Sequence, residues 1–286
     1  MKLAIACASG SFKGAFTHGV LTAFESAGIS ADAYAASSSS VIPSAWAAIG
    51  KAAELGVNYW LTGMEELQKP EMGMSQVTMG GIQLFHPSLD KLLAAETPAY
   101  FVAVSAVVNP EAASQTQGEK ARRLGRKLLV SAAKKDRSWV DENLQIELFS
   151  TRKNDLIKSS KIDKNNFSEI AYATSRMLHA WDIPAWINEK PYIDASYTCL
   201  CPAIEMIEAG YKQIIAINNE PGIFYRDMFG LEIIPENYQG IDIHIIKPDI
   251  DLKEMGVDFT NATPEGLLAV YKHGQEKGRE FLTNWK

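Results

Sequence analysis

The sequence predicts a three-layer α/β/α fold with a mostly parallel central sheet, and three observations carry that expectation. Residues 3–8, Leu3-Ala4-Ile5-Ala6-Cys7-Ala8, form an unbroken apolar run of strand length, as a strand covered on both faces requires. The loop Ser9-Gly10-Ser11-Phe12-Lys13-Gly14 follows at once and opens a helical pattern over 15–27. A second apolar run, Ala33-Tyr34-Ala35-Ala36, then leads into four consecutive serines, Ser37-Ser38-Ser39-Ser40, and a helical stretch over 41–49. Strand, loop, helix and strand in this order make the βαβ unit from which parallel sheets are built.

Within 15–27, Phe16, Val20 and Phe24 recur every fourth residue with Leu21 beside them, giving one apolar face, and Gly28 ends the helix. Residues 45–66 read as helical and mostly apolar. Residues 64–81 are rich in Met and Gly and weakly patterned, which predicts an irregular loop; methionines there would serve as core filler or as an adaptable apolar binding wall. Pro87 opens a short helix over 87–93, and 100–108 is a further buried strand. Residues 146–150 read as a strand, 167–178 as a helix, and 191–194 as a short strand ending at Asp194. A helix over 203–209 capped by Gly210, strands over 213–218 and 241–246, and a final helix over 264–282 complete the chain. That last helix carries Leu267, Leu268, Tyr271 and Phe281 on its apolar side. With no repeat or low-complexity linker, the expectation is one domain over 1–286, with an insertion around 109–143 and a C-terminal helix.

Composition narrows the function. At 286 residues with 47% hydrophobic and 22% charged residues, the chain can bury a substantial core. A net charge of −6 offers no overall positive field to draw in nucleic acid. Three cysteines, Cys7, Cys199 and Cys201, give no disulfide framework and suit a reducing compartment. The apolar stretch before Cys7 is shorter than a signal core of about 7–15 residues, and no stretch approaches the ~18 apolar residues of a membrane span. The expected location is cytoplasmic. Residues 120–137 hold Arg122, Arg123, Arg126, Lys127, Lys134 and Lys135, with Ala121, Leu124, Leu128 and Ala132 at helical spacing. Two readings stay open there, peripheral contact with an anionic membrane surface and a solvated helix face.

Three stretches carry chemistry. A strand that ends in small residues and turns directly into a helix, as at Ser37 to Ser40, is the setting of a nucleophile elbow. Alternatively, the serines form a flexible loop or a helix cap. The loop Ser9 to Gly14 fits neither the Walker A nor the G-x-G-x-x-G pattern, yet its small residues let backbone N–H groups face an anion at a helix N-terminus. Asp194, at a strand end before Ala195 and Ser196, suits either a site at the rim of an open sheet or a plain turn. His18, His86 and His179 show no metal-ligand spacing, and Cys199-Leu200-Cys201 lacks a second pair, so neither metal nor cofactor is expected.

Taken in order, these stretches resemble the patatin-like phospholipase family. Ser9-Gly10-Ser11-Phe12-Lys13-Gly14-Ala15, with Gly19-Val20-Leu21 beyond, matches its Gly-rich oxyanion loop; Ala36-Ser37-Ser38-Ser39-Ser40 falls at its G-x-S-x-G elbow; Ile193-Asp194-Ala195-Ser196, with Pro202 beyond, falls at its D-G-G/A motif. The likeness in element order runs from about Leu3 past Asn218. It departs from the family pattern where Ala36, Ser40, Ser11, Ala195 and Ser196 stand in place of glycines. The resemblance implies a patatin-like fold and a lipid acyl hydrolase of phospholipase A or lysophospholipase type, or a related thioesterase or acyltransferase. It implies a Ser38–Asp194 dyad with Gly10, Ser11 and Ser39 supplying oxyanion N–H groups, and Ser9, Lys13, Gly14, Ala36, Ser40 and Ala195 supporting them. Two alternatives stand beside this reading, the first raised by the substituted glycines and the second by the histidines that follow Asp194. One is a fold that binds acyl chains or lipids without hydrolysis, because a non-Gly residue at Ser11 or Ser40 would be strained. The other is a triad that recruits His244 or His273.

Overall fold

The computed structural model describes residues 2–285. Ten strands form its sheet: β1 (Leu3–Cys7), β2 (Ala33–Ser37), β3 (Ala99–Val107), β4 (Leu144–Ser150), β5 (Ser160–Lys161), β6 (Trp186–Ile187), β7 (Lys190–Ile193), β8 (Gln213–Ile217), β9 (Asn237–Tyr238) and β10 (Ile241–Ile246). They run in the order β5-β4-β3-β2-β1-β8-β10-β9, with β7 laid against β3 and β6 against β7. The central pairs β3/β2, β2/β1, β1/β8 and β8/β10 are parallel, while β4 and β7 both run antiparallel to β3.

Among the described residues, twelve α-helices connect and cover the sheet. They are α1 (Ala15–Ser26), α2 (Val41–Ala48), α3 (Ala52–Leu55), α4 (Asn58–Leu67), α5 (Met74–Leu84), α6 (Leu89–Leu92), α7 (Pro110–Gln117), α8 (Ala121–Ala133), α9 (Ser138–Asn143), α10 (Phe167–Thr174), α11 (Ala203–Glu208) and α12 (Pro264–Asn284). Because side chains alternate along a strand, β1 and β2 feed two separate cores. Ile5, Cys7, Tyr34 and Ala36 pack with Phe16, Ile42, Phe167 and Leu267 of α1, α2, α10 and α12. Ala4, Ala6, Ala33 and Ala35 face the other way, onto Met206 and Ile207 of α11. Apolar burial on both faces explains why these strands show no polar alternation. The expected three-layer α/β/α class holds.

The long helix α12 crosses α1 closely. A side chain on Gly19 would meet the Tyr271 carbonyl at 2.0 Å, and one on Gly274 the Phe16 carbonyl at 2.1 Å, so only glycine fits at this crossing. Leu267 and Tyr271 are buried there, but Leu268, expected on the apolar face, points outward at 38% exposure.

Three segments depart from the sequence reading. Residues 45–66 form not one helix but α2, α3 and α4, broken at Gly50 and Gly56, whose φ values of 69° and 61° lie outside the right-handed region. Residues 64–81, expected as a loop, contain the end of α4 and most of α5. There the Gln76 side chain reaches back to accept the Gly73 N–H at 3.1 Å, a start signal that the surrounding glycines masked. The helix expected over 167–178 stops at Thr174, because the next residues turn to place the buried Arg176.

Candidate active site

Strand order converges three chain turns on one edge of the sheet. The loop after β1, the serines after β2 and Asn218 to Glu220 after β8 all leave the carboxyl ends of adjacent parallel strands, where sites in open α/β sheets gather. Asp194 arrives differently. Strand β7 runs antiparallel along the end of β3, pairing Ile193 with Ser105, while Ser37 on β2 pairs with Ala103. The next residue after Ile193 therefore lands beside the first residue after Ser37.

The result is a direct contact: the Ser38 hydroxyl donates to Asp194 Oδ2 at 2.8 Å. Ser38 holds φ at 54°, a left-handed conformation that costs a non-Gly residue on the order of 1–3 kcal/mol and persists only where neighbours enforce it. Those neighbours are identifiable. The Ser38 N–H donates to Thr174 Oγ1 at 2.9 Å, and Thr174 in turn donates to the Ala103 carbonyl at 2.6 Å. The Ser40 hydroxyl donates to the Ala8 carbonyl at 2.5 Å, tying the elbow to the end of β1. Ser40 itself sits at φ −79°, ψ −5°, so the strain expected there is absent. Ala36 is buried in β2, where only a small side chain is present.

Asp194 is buried and held on both sides. Its Oδ1 accepts the Ser196 N–H at 2.7 Å, its N–H donates to the Arg176 carbonyl at 3.0 Å, and its carbonyl accepts from Ser105 Oγ at 2.7 Å. Burial pushes the carboxyl up to about 6, against the pull of the Ser196 and Ser38 hydrogen bonds. It is ionised at neutral pH but basic enough to take a proton. Ala195 is fully buried behind it.

The Ser9 to Gly14 loop lies against the elbow. Ser11, at φ 48°, begins a short 3₁₀ turn that runs into α1. Among the described residues, the N–H groups of Gly10 and Ser11 have no hydrogen-bond partner, and both residues line the same groove as Ser38 and Asp194. Ser9 is fixed by its N–H to the Leu200 carbonyl at 2.9 Å. A side chain on Gly14 would meet Trp60 at 2.7 Å and Ser39 Oγ at 2.9 Å, so this glycine lets loop, elbow and α4 meet. Lys13 is almost wholly buried, bonded to Glu220 at 2.7 Å and Asp251 at 3.0 Å, with its ammonium over the Phe259 ring.

Sequence reasoning missed Asn219. Fully buried, it accepts from the Thr17 hydroxyl at 2.8 Å and backbone N–H at 3.2 Å, and donates to the Ala8 and Ser9 carbonyls at 3.0 Å each. It thereby splints the loop to the start of α1. A pair of asparagines directly after a buried strand was the available signal. Thr174 was missed as well, because its role depends on tertiary contact with Ser38. His244 and His273 do not reach Asp194, whose side-chain partners among the described residues are Ser38 and Ser196. A histidine triad is not formed.

Two cavities meet at Ser38. A groove of about 650 Å³ contains Gly10, Ser11, Ser38 and Asp194, with apolar walls that include Met177, Phe224 and Met228. Leu129, Ile223 and Phe259 stand exposed at its rim. A slot of about 70 Å³ also reaches Ser38, among Phe12, Tyr59 and Trp60, and shares Ser11 and Trp181 with the groove. The basic helix α8 borders the groove through Leu129, Ala132 and Ala133, and among the described residues no helix is long and apolar enough to cross a membrane.

No family model and no curated protein matches this chain. Among solved structures, the crystal structure of VipD from Legionella pneumophila aligns over 99% of this chain and 67% of that one, at 11% identity and a TM-score of 0.48. A likeness at that level says nothing about chemistry.

Proposed function

We propose that the protein is a serine acyl hydrolase acting on lipid esters, working through a Ser38–Asp194 dyad. The single observation that carries this reading is the 2.8 Å hydrogen bond between a strained, elbow-borne hydroxyl and a buried carboxylate at the floor of an apolar groove. The resemblance of the three motifs to patatin-like phospholipases points the same way.

In the proposed reaction, Asp194 Oδ2 takes the Ser38 proton as Oγ attacks the ester carbonyl. The carbonyl oxygen gains negative charge, which the free N–H groups of Gly10 and Ser11, together with that of Ser39, would receive; losing one such donor typically costs about 10²–10³ in rate. The carbon–oxygen bond to the alcohol then breaks, and the departing alkoxide takes the proton back from Asp194. Water next attacks the acyl-serine, gives one proton to Asp194 and releases the carboxylic acid, and Ser38 recovers its proton. Lys13 takes no part in these transfers; it braces the loop from behind.

Peripheral contact with membranes through 120–137 belongs to the same proposal, since Leu129 and the cationic face share one helix at the groove. The test is hydrolysis of phospholipid and simple ester substrates. Turnover that disappears in Asp194→Asn supports the reading, and undiminished turnover in that variant refutes it.

A further inference from the structure

The slot beside Ser38 is built rather than incidental. Met74, Val77, Thr78 and Gly81 recur at i, i+3, i+4 and i+7, so α5 turns one continuous face toward it. Tyr59, Trp60 and Gly63 of α4 form the facing wall. Both tryptophans are pinned. Trp60 Nε1 donates to His18 Nδ1 at 3.1 Å, and Trp181 Nε1 donates to Thr78 Oγ1 at 2.8 Å. His18 is buried, which lowers its basicity and keeps it a neutral acceptor. A wall fixed at both ends does not yield easily to a larger guest.

Slot and groove differ in two ways that matter for an ester bound across Ser38. Every residue lining the slot is buried or half-buried, whereas the groove carries an exposed rim. In the two-step reaction the alcohol must leave while the acyl group stays attached to Ser38 Oγ. The alcohol therefore belongs in the groove, whose rim residues are exposed, and the acyl arm in the slot, whose lining is buried or half-buried. Volume sets the length of that arm. A dry apolar cavity of about 150 Å³ admits benzene, with its six carbons. The 70 Å³ slot has about half that room, enough for roughly three carbons.

We propose that this slot is the acyl site and restricts the enzyme to short acyl groups, acetyl to butyryl, carried on large apolar alcohols that fill the groove. This rests on the Ser38–Asp194 reading and narrows it from lipid esters in general to short-acyl esters of lipid-like alcohols.

Gly63 provides a clean way to change the slot. A side chain there would meet only Phe12 and Val77, at the ordinary contact distances of 3.8 and 3.9 Å, and its place inside α4 favours a non-glycine residue. The experiment measures kcat/KM for 4-nitrophenyl acetate, butyrate, octanoate and palmitate, alongside labelling by a small methyl fluorophosphonate. The expected wild-type profile peaks at acetate or butyrate and falls about tenfold for each methylene beyond the slot's capacity. Gly63→Leu should confine turnover to acetate, and Val77→Ala should move the optimum to a longer chain. Circular dichroism spectra matching wild type verify that both variants fold. A profile that rises through octanoate and palmitate, or chain preferences that neither variant moves, overturns the acyl assignment while labelling of Ser38 leaves the dyad standing. Absence of both labelling and turnover overturns the dyad and this inference together.

Discussion

The turn after β1 and the turn after β2 are built on one plan and put to opposite uses. Each leaves a buried parallel strand, places a serine at positive φ, Ser11 at 48° and Ser38 at 54°, passes through a short 3₁₀ turn and enters a helix. At the second turn a carboxylate waits for the side chain. At the first there is none; instead two backbone N–H groups are left free, and the rigidity comes from Asn219 and Lys13. The same strained backbone thus presents a hydroxyl in one place and amides in the other. What distinguishes them is which chemical group the neighbouring chain supplies.

The sharpest way to break this comparison is to remove the hydroxyl from each turn. Ser38→Ala should lower kcat/KM by about 10⁴-fold or more. Ser11→Ala keeps its N–H and should lose less than about tenfold. Equal losses would mean that the two turns do not differ as described.

Next comes the splint. Asn219→Ala strips partners from the Ala8 and Ser9 carbonyls and from Thr17, of which Ala8 and Thr17 are buried and Ser9 half-buried. It should destabilise the fold by about 2–3 kcal/mol in urea titrations and slow turnover by at least about tenfold. Conserved affinity for substrate with reduced kcat would locate the damage in the proposed oxyanion loop.

The Ser38 turn alone should carry a pH signature. To act as the proposed base Asp194 must be ionised, so activity should be lost as pH falls through about 6. The sign for stability is opposite. A carboxyl held above its unfolded value near 3.8 binds protons more readily in the folded state, so its contribution to stability falls as pH rises through the interval from about 4 to 6. At neutral pH that burial costs about 3 kcal/mol. Asp194→Asn can still accept the Ser196 N–H and should melt several degrees higher than wild type at pH 8, with activity gone. An unchanged melting temperature would show that the carboxylate is not held under this strain.

The smallest effect concerns backbone strain. Ser11→Gly should raise stability by about 1 kcal/mol, since glycine accepts φ 48° freely.

Much of this was legible in the residues. Two-sided apolar runs announced β1 and β2, and small residues on either side of Ser38 announced a tight turn, because burial and crowding act locally. The location of strain was legible only in part: Ser11, standing in place of a loop glycine, does hold a positive φ, but the elbow was misjudged. The missing elbow glycine suggested Ser40, yet Ser40 is relaxed and the positive φ falls on Ser38, since tethers from Thr174 and Ala8 shape the turn. Nor did the sequence reveal α5: its glycines weaken helix propensity, and packing around the slot overrides that weakness. Asp194 was expected at the rim of the sheet, but that it would arrive on an antiparallel strand depended on β7 pairing with β3, a contact between residues far apart in the chain.

The central claim, that Ser38 is a nucleophile activated by Asp194, is tested most directly by fluorophosphonate labelling read by peptide mass spectrometry across pH. The account predicts one adduct, on the peptide containing Ser38, absent in Ser38→Ala, with a labelling rate that falls as pH drops through about 6. Labelling that persists undiminished in Ser38→Ala would contradict it.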